Sequence, residues 1–186
     1  MVCKLLPGLM LLVFLFGIPG GTVVKSEPMS EKAMTPLMLS QADPEVKAVF
    51  SHTVESFALY SSFLGDCTQN GDYLVPLHGA NQPEALTFLG SGFTADLAAA
   101  IVEECTVYNS DLGCLVINPG DGIPVLTAWD RPDIWLTGKS ENRIIFLRKY
   151  NNCYAEGDEY HLLVTMSREE TSWKVSDISF MAINDN

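Results

Sequence analysis

The chain has 186 residues, 47% of them hydrophobic, which is enough to bury the core of one domain and too apolar for a disordered chain. Lys and Arg total 11 against 23 Asp and Glu, a formal charge of −12. That balance argues against nucleic acid and anionic lipid as partners, because both demand basic patches.

The first stretch, MVCKLLPGLMLLVFLFGIPGG, carries one lysine, an apolar run from Leu5 to Ile18, then Pro19 and two glycines. This is the pattern of a secretory signal peptide, and the run is shorter than the roughly 20 apolar residues of a membrane span. Val24 and Ser26 supply the small pair that places the cut before Glu27. Cuts after Gly20 or Thr22 and an uncleaved anchor are the competing readings. Removing residues 1–26 takes away Lys4 and Lys25 and no acid, so the charge moves from −12 to −14. The mature chain is expected to be exported, periplasmic or extracellular, with no stable membrane span. Residues 27–42 hold Pro28 and Pro36 without a period and read as a flexible linker, leaving 43–186 as a single domain.

Order is expected to begin at Asp43, a helix cap followed by Pro44 at the first helical position. Apolar residues recur at Val46, Val49, Phe57, Tyr60 and Leu64, with Phe50 and Val54 widening the stripe, until Gly65 ends the helix. The segment from Gly65 to Asn81 reads as a loop with one strand-like piece at Tyr73 to Leu77. A short helix follows from Gln82 to Leu89, and Gly90-Ser91-Gly92 reads as a flexible joint. A third helix starts at Thr94 and places Leu97, Ile101 and Cys105 on one face. The stretch from Asn118 to Asp133 is rich in turn formers yet holds Val125, Leu126 and Trp129, as loops that line something do.

Strands are then expected at Ile134 to Thr137, Arg143 to Tyr150 and Glu159 to Met166. The last begins at Trp173 after the polar turn Ser167 to Thr171. In that final strand Ile178 and Phe180 fall on the opposite parity from Trp173 and Val175. A one-residue slip flips every later side chain unless a bulge absorbs it, so a bulge is expected near Ser176 and Asp177. Helices first and an antiparallel meander afterwards make the fold class α+β.

Cys3 would leave with the leader, and Cys67, Cys105, Cys114 and Cys153 remain. An even count in an exported chain points to two disulfides. Three connectivities exist, and Cys105 with Cys114 and Cys67 with Cys153 is favoured because the first pair brackets a short loop. No two cysteines have the close spacing of a zinc knuckle, and neither a metal nor a cofactor is expected.

With helices near 44–64 and 94–105, then GDGIPVLTAWDRPDIW, then a meander closing on SWKVSDISF, the chain resembles the nuclear-transport-factor-2-like, or cystatin-like, α+β fold. More narrowly, LAAAIVEE, GDGIPVLTAWD and WKVSDI are similar to segments of the secreted bacterial family called domain of unknown function 3828. The resemblance implies a long helix lying across a curved sheet, a cone-shaped pocket, and possible homodimerisation through the outer sheet face. It implies no reaction.

Asp130 and Asp133 lie between Trp129 and Trp135, and a carboxylate against indole has its ionised form disfavoured, as a proton-abstracting base requires. Together with His161 these residues are the candidates for an isomerase- or dehydratase-like site. The competing reading makes Asp130 a turn cap or the partner of Arg131 or Arg143, with His161 on the solvent side. The leading expectation is a non-catalytic domain that binds a small apolar molecule or a protein at its concave face, with Trp129, Asp130, Trp135, His161 and Tyr60 as the binding residues. An acidic inhibitor or immunity protein meeting a basic toxin or hydrolase is the second expectation.

Overall fold

A computed structural model describes residues 35–118, 120 and 122–183. The leader, its cleavage sites and residues 27–34 of the linker lie outside the described residues. The chain begins with β1 (Leu37–Met38) and α1 (Pro44–Gly65), followed by a hairpin of β2 (Cys67–Asn70) and β3 (Tyr73–Pro76). Next come α2 (Gln82–Leu89), α3 (Ala95–Cys105) and a second hairpin of β4 (Thr106–Asn109) and β5 (Cys114–Ile117). The chain closes with β6 (Ile134–Lys139), β7 (Arg143–Asn151), β8 (Glu159–Glu169) and β9 (Ser172–Ile183). The fold class is therefore α+β.

Five strands form one sheet in the order β1-β6-β7-β8-β9, with every neighbouring pair antiparallel. Residues opposite one another in such ladders share a face, so the register sorts the side chains. Ile134, Leu136, Ile144, Phe146, Leu162, Val164, Met166 and Val175 occupy one face and are buried. Trp135, Leu147 and Leu163 occupy the other.

α1 supplies the second layer of the core. The Asp43 carboxylate accepts from the Val46 amide at 2.9 Å, and Pro44 opens the helix as expected. Val46, Val49, Phe50, Phe57, Tyr60 and Phe63 are buried, and the Phe50 ring meets Phe146 edge-on at 5.4 Å. Lys139 at the end of β6 donates to Asp43 at 2.6 Å and tethers the helix start to the sheet. That hydrogen bond is the main cause that holds the Asp43 carboxyl below its usual range.

The joint at Gly90-Ser91-Gly92 is anchored rather than flexible. The Gly92 carbonyl accepts from Ser56 Oγ of α1 at 3.0 Å and from the Val175 amide of β9 at 2.9 Å, while Thr94 donates to the Val175 carbonyl. A Cβ at Gly92 would sit 2.8 Å from Ser56 Oγ, so only glycine lets α1 approach this closely.

Three further expectations are corrected. Residues 37–42 belong to the domain and not to the linker: β1 pairs with β6, and Leu39 and Ala42 are buried. The loop from Gly65 to Asn81 is a full hairpin, whose turn uses Gly71 at φ +62°. The residues after Cys105 form a second hairpin, with Thr106 opposite Ile117 and Asn109 opposite Cys114. The expected bulge is present: Thr165 pairs with Asp177 and Met166 with Val175, so Ser176 is the extra residue.

Candidate functional site

The sheet separates the residues that sequence reasoning grouped together. Asp130 lies in a 3-10 helix, Ala128–Asp133, and bonds to Arg148, which stands opposite Leu162 on the inner face. Its carboxylate accepts from the Thr127 amide and hydroxyl at 2.8 Å and from Arg148 Nε at 3.3 Å. Arg148 Nη2 also reaches Asp133 at 3.1 Å. Three donors on one carboxylate describe a capping and ion-pairing group, and the partner is Arg148, not Arg131 or Arg143. Trp129 is 92% exposed and gives Asp130 no indole cover. This follows from the capping box, which turns Asp130 inward and its neighbour outward.

Trp135 and His161 stand on the opposite, outer face. Trp135 pairs with Leu147 and Met38, in a row that continues to Leu163. His161 is flanked across the sheet by Lys149 and Met181, and its Nε2 bonds to the Glu159 carboxylate two residues away. Asp130 and His161 therefore cannot act on one substrate, because the sheet lies between them.

What the inner face does build is an aromatic cleft. Beyond the buried rows, Tyr150 and Tyr160 pair across β7 and β8, and Phe180 follows the bulge onto the same face. Phe180 stacks on Tyr160 at 5.2 Å and meets Tyr150 edge-on at 6.0 Å, and Tyr154 meets Tyr160 at 5.1 Å. Gly122, Ile123 and Pro124 form the opposite wall, and Cys153 and Tyr154 the rim, of a cleft of about 450 Å³. Such a volume suits a small ligand. Arg148 lies 4.9 Å over the Tyr150 ring, but Asp130 and Asp133 already match its charge. Burial is the main cause that raises the Tyr150 phenol above its ordinary value. Its hydroxyl forms no hydrogen bond among the described residues.

Tyr60 stands on the other side of the same loop. Its hydroxyl accepts from the Ile123 amide at 3.2 Å and lies 3.9 Å from Cys105 Sγ, against an apolar cavity of about 150 Å³. That volume is small for anything beyond a few heavy atoms. Tyr60 is thus the post that fixes the loop, not a ligand contact in the larger cleft. Burial, ahead of its other causes, pushes its phenol up to about 12. An unfolded tyrosine titrates near pH 10, so the folded state holds this proton more tightly. The resulting stabilisation is complete below about pH 10 and is lost as pH rises through about 12. The urea midpoint is expected to fall across that window, and to fall less steeply in Tyr60→Phe.

Cys67, Cys105, Cys114 and Cys153 are free thiols. The hairpin register explains why the first expected bridge is not formed. Cys114 faces Asn109, four residues from Cys105, which separates the two by roughly 13 Å along the strand. A disulfide needs Cα atoms within about 7 Å. Burial raises the Cys105 and Cys67 thiols above their ordinary value, whereas Cys153 is exposed on the cleft rim. Iodoacetamide at pH 7.5 is expected to alkylate Cys153 first and Cys105 last, since the thiolate is the nucleophile. Peptide mass mapping after a time course reads the order directly.

Among the described residues no His, Cys, Asp and Glu side chains gather in a group of three that could hold a metal ion. None of their helices is long and apolar enough to cross a membrane. No family model matches the chain, and no curated protein or solved structure is significantly similar to it.

Proposed function

We propose that this is an exported, non-catalytic domain that binds one small, flat, uncharged apolar molecule in the cleft between Tyr150, Phe180 and Ile123. The observation that carries the reading is the aromatic cluster left open at the end of the inner sheet face, where the buried core stops. Rings of this kind stack on a planar ligand, and the Tyr150 hydroxyl supplies one polar anchor. An anionic ligand is disfavoured, because Arg148 is already outnumbered by Asp130 and Asp133. The leader-like first residues, the acidic charge and the likeness to nuclear-transport-factor-2-like domains support export and a pocketed fold.

Titration of isotope-labelled protein with 2-naphthol tests this. Saturable one-to-one binding with shifts at Gly122, Ile123, Tyr150 and Phe180 is the expected result. Absence of binding up to millimolar probe, or shifts confined to the cavity beside Tyr60, removes the reading.

A further inference from the structure

Between Lys47 and Arg131 the chain contains ten acidic residues and no lysine or arginine. That stretch builds most of α1, both hairpins, α2 and α3, while the other basic residues of the domain fall on the start of α1, the 3-10 helix before β6 and the large sheet. The domain is therefore electrostatically two-sided. Five of the eight large apolar side chains exposed among the described residues belong to the acidic side: Tyr73, Leu74, Leu77, Val107 and Tyr108. They lie on or directly after the hairpin strands, and β3 packs beside β5, so the two hairpins adjoin. Asp72 lies in the first hairpin turn, Asp111 in the second and Glu103 near the end of α3. None of the three has an ion-pair partner among the described residues.

We infer that the paired hairpins are a docking surface for a second protein, whose contact face is apolar at its centre and ringed by lysine and arginine. Concentrated exposed apolar side chains mark interaction sites, and scattered ones do not. Charge selects the occupant. A second copy of this chain would bring together two acidic faces that lack lysine and arginine, and anionic lipid or nucleic acid would be repelled in the same way. A basic protein gains on both counts: its apolar centre covers exposed apolar side chains of the hairpins, and its rim meets Asp72, Asp111 and Glu103, which form no ion pair among the described residues. This surface is separate from the aromatic cleft, so either can fail without the other.

The experiment uses the full chain, isotope-labelled, and a helical peptide with leucines on one face and lysines on the other. A peptide with glutamate in place of lysine is the comparison. The lysine peptide is expected to shift residues 72–77 and 103–111, and to bind at least about tenfold more weakly at 200 mM than at 50 mM salt. Asp72→Lys with Asp111→Lys, and separately Leu74→Ser with Tyr108→Ser, are each expected to weaken it by about tenfold or more. These positions are exposed, and an unchanged melting temperature shows that the variants fold. Glu169→Lys and Phe180→Ala are expected to leave peptide binding unchanged. Shifts elsewhere, equal binding of the glutamate peptide, salt-independent affinity, or self-association through the hairpins in sedimentation would each overturn the inference.

Discussion

Phe146→Ala is expected to destabilise the domain by about 3–5 kcal/mol, the largest single effect we anticipate. Phe146 is fully buried at the middle of β7, between Leu136 and Val164 in the same cross-strand row. Its ring meets Phe50 of α1 edge-on, so it joins the sheet to the helix that covers it. Truncation removes the transfer energy of the ring and leaves a void that neither the ladder nor a 22-residue helix can collapse to fill. A domain of this size holds only about 5–15 kcal/mol in total. The melting temperature should therefore fall by roughly 10–20 °C in thermal scans. Trp129→Ala supplies the contrast: at 92% exposure its indole is expected to change stability by no more than about 0.5 kcal/mol.

The second large effect falls on binding. Phe180→Ala is expected to weaken 2-naphthol by about ten- to a hundredfold, which corresponds to about 1.4–2.7 kcal/mol. Phe180 joins Tyr150 and Tyr160 into one aromatic floor, and its loss removes a stacking face and loosens the orientation of both neighbours. The side chain is only partly buried, so the fold should survive with a much smaller loss than Phe146→Ala. Tyr150→Phe keeps the ring and deletes the anchor, and it should cost about tenfold or less. Equal affinity across wild type, Phe180→Ala and Tyr150→Phe would place the ligand elsewhere.

Several features of this fold are written locally in the chain. The Asp43-Pro44 cap and the apolar recurrence along α1 need no tertiary information, and they gave the helix to within a residue. The parity slip between Val175 and Ile178 located the bulge at Ser176, and that bulge is what turns Phe180 onto the inner face. The first strand of the first hairpin escaped because Cys67–Asn70 is polar and largely exposed, so no alternation betrays it. β1 has two residues and therefore no period at all.

The grouping of site residues failed for a different reason. Asp130 and Arg148 meet because of the register between β6 and β7, which no local pattern encodes. His161 and Trp135 were nevertheless legible: each alternates with residues of the buried row, Leu162 and Leu136, and so had to face outward. The cleft was legible by the same parity, through Tyr150, Tyr160 and Phe180, though its wall at Ile123 was not. The run without lysine or arginine between Lys47 and Arg131 was open to inspection throughout, but only the fold shows that it coincides with the exposed apolar hairpins.

The most direct test of the central reading is native mass spectrometry, without reductant, of the chain recovered from the cells that make it, beside its Phe180→Ala variant. We expect the wild type to carry one small-molecule adduct that the variant has lost, with all four thiols reduced. An adduct of equal abundance on both proteins, or the bare chain mass for both, would contradict it.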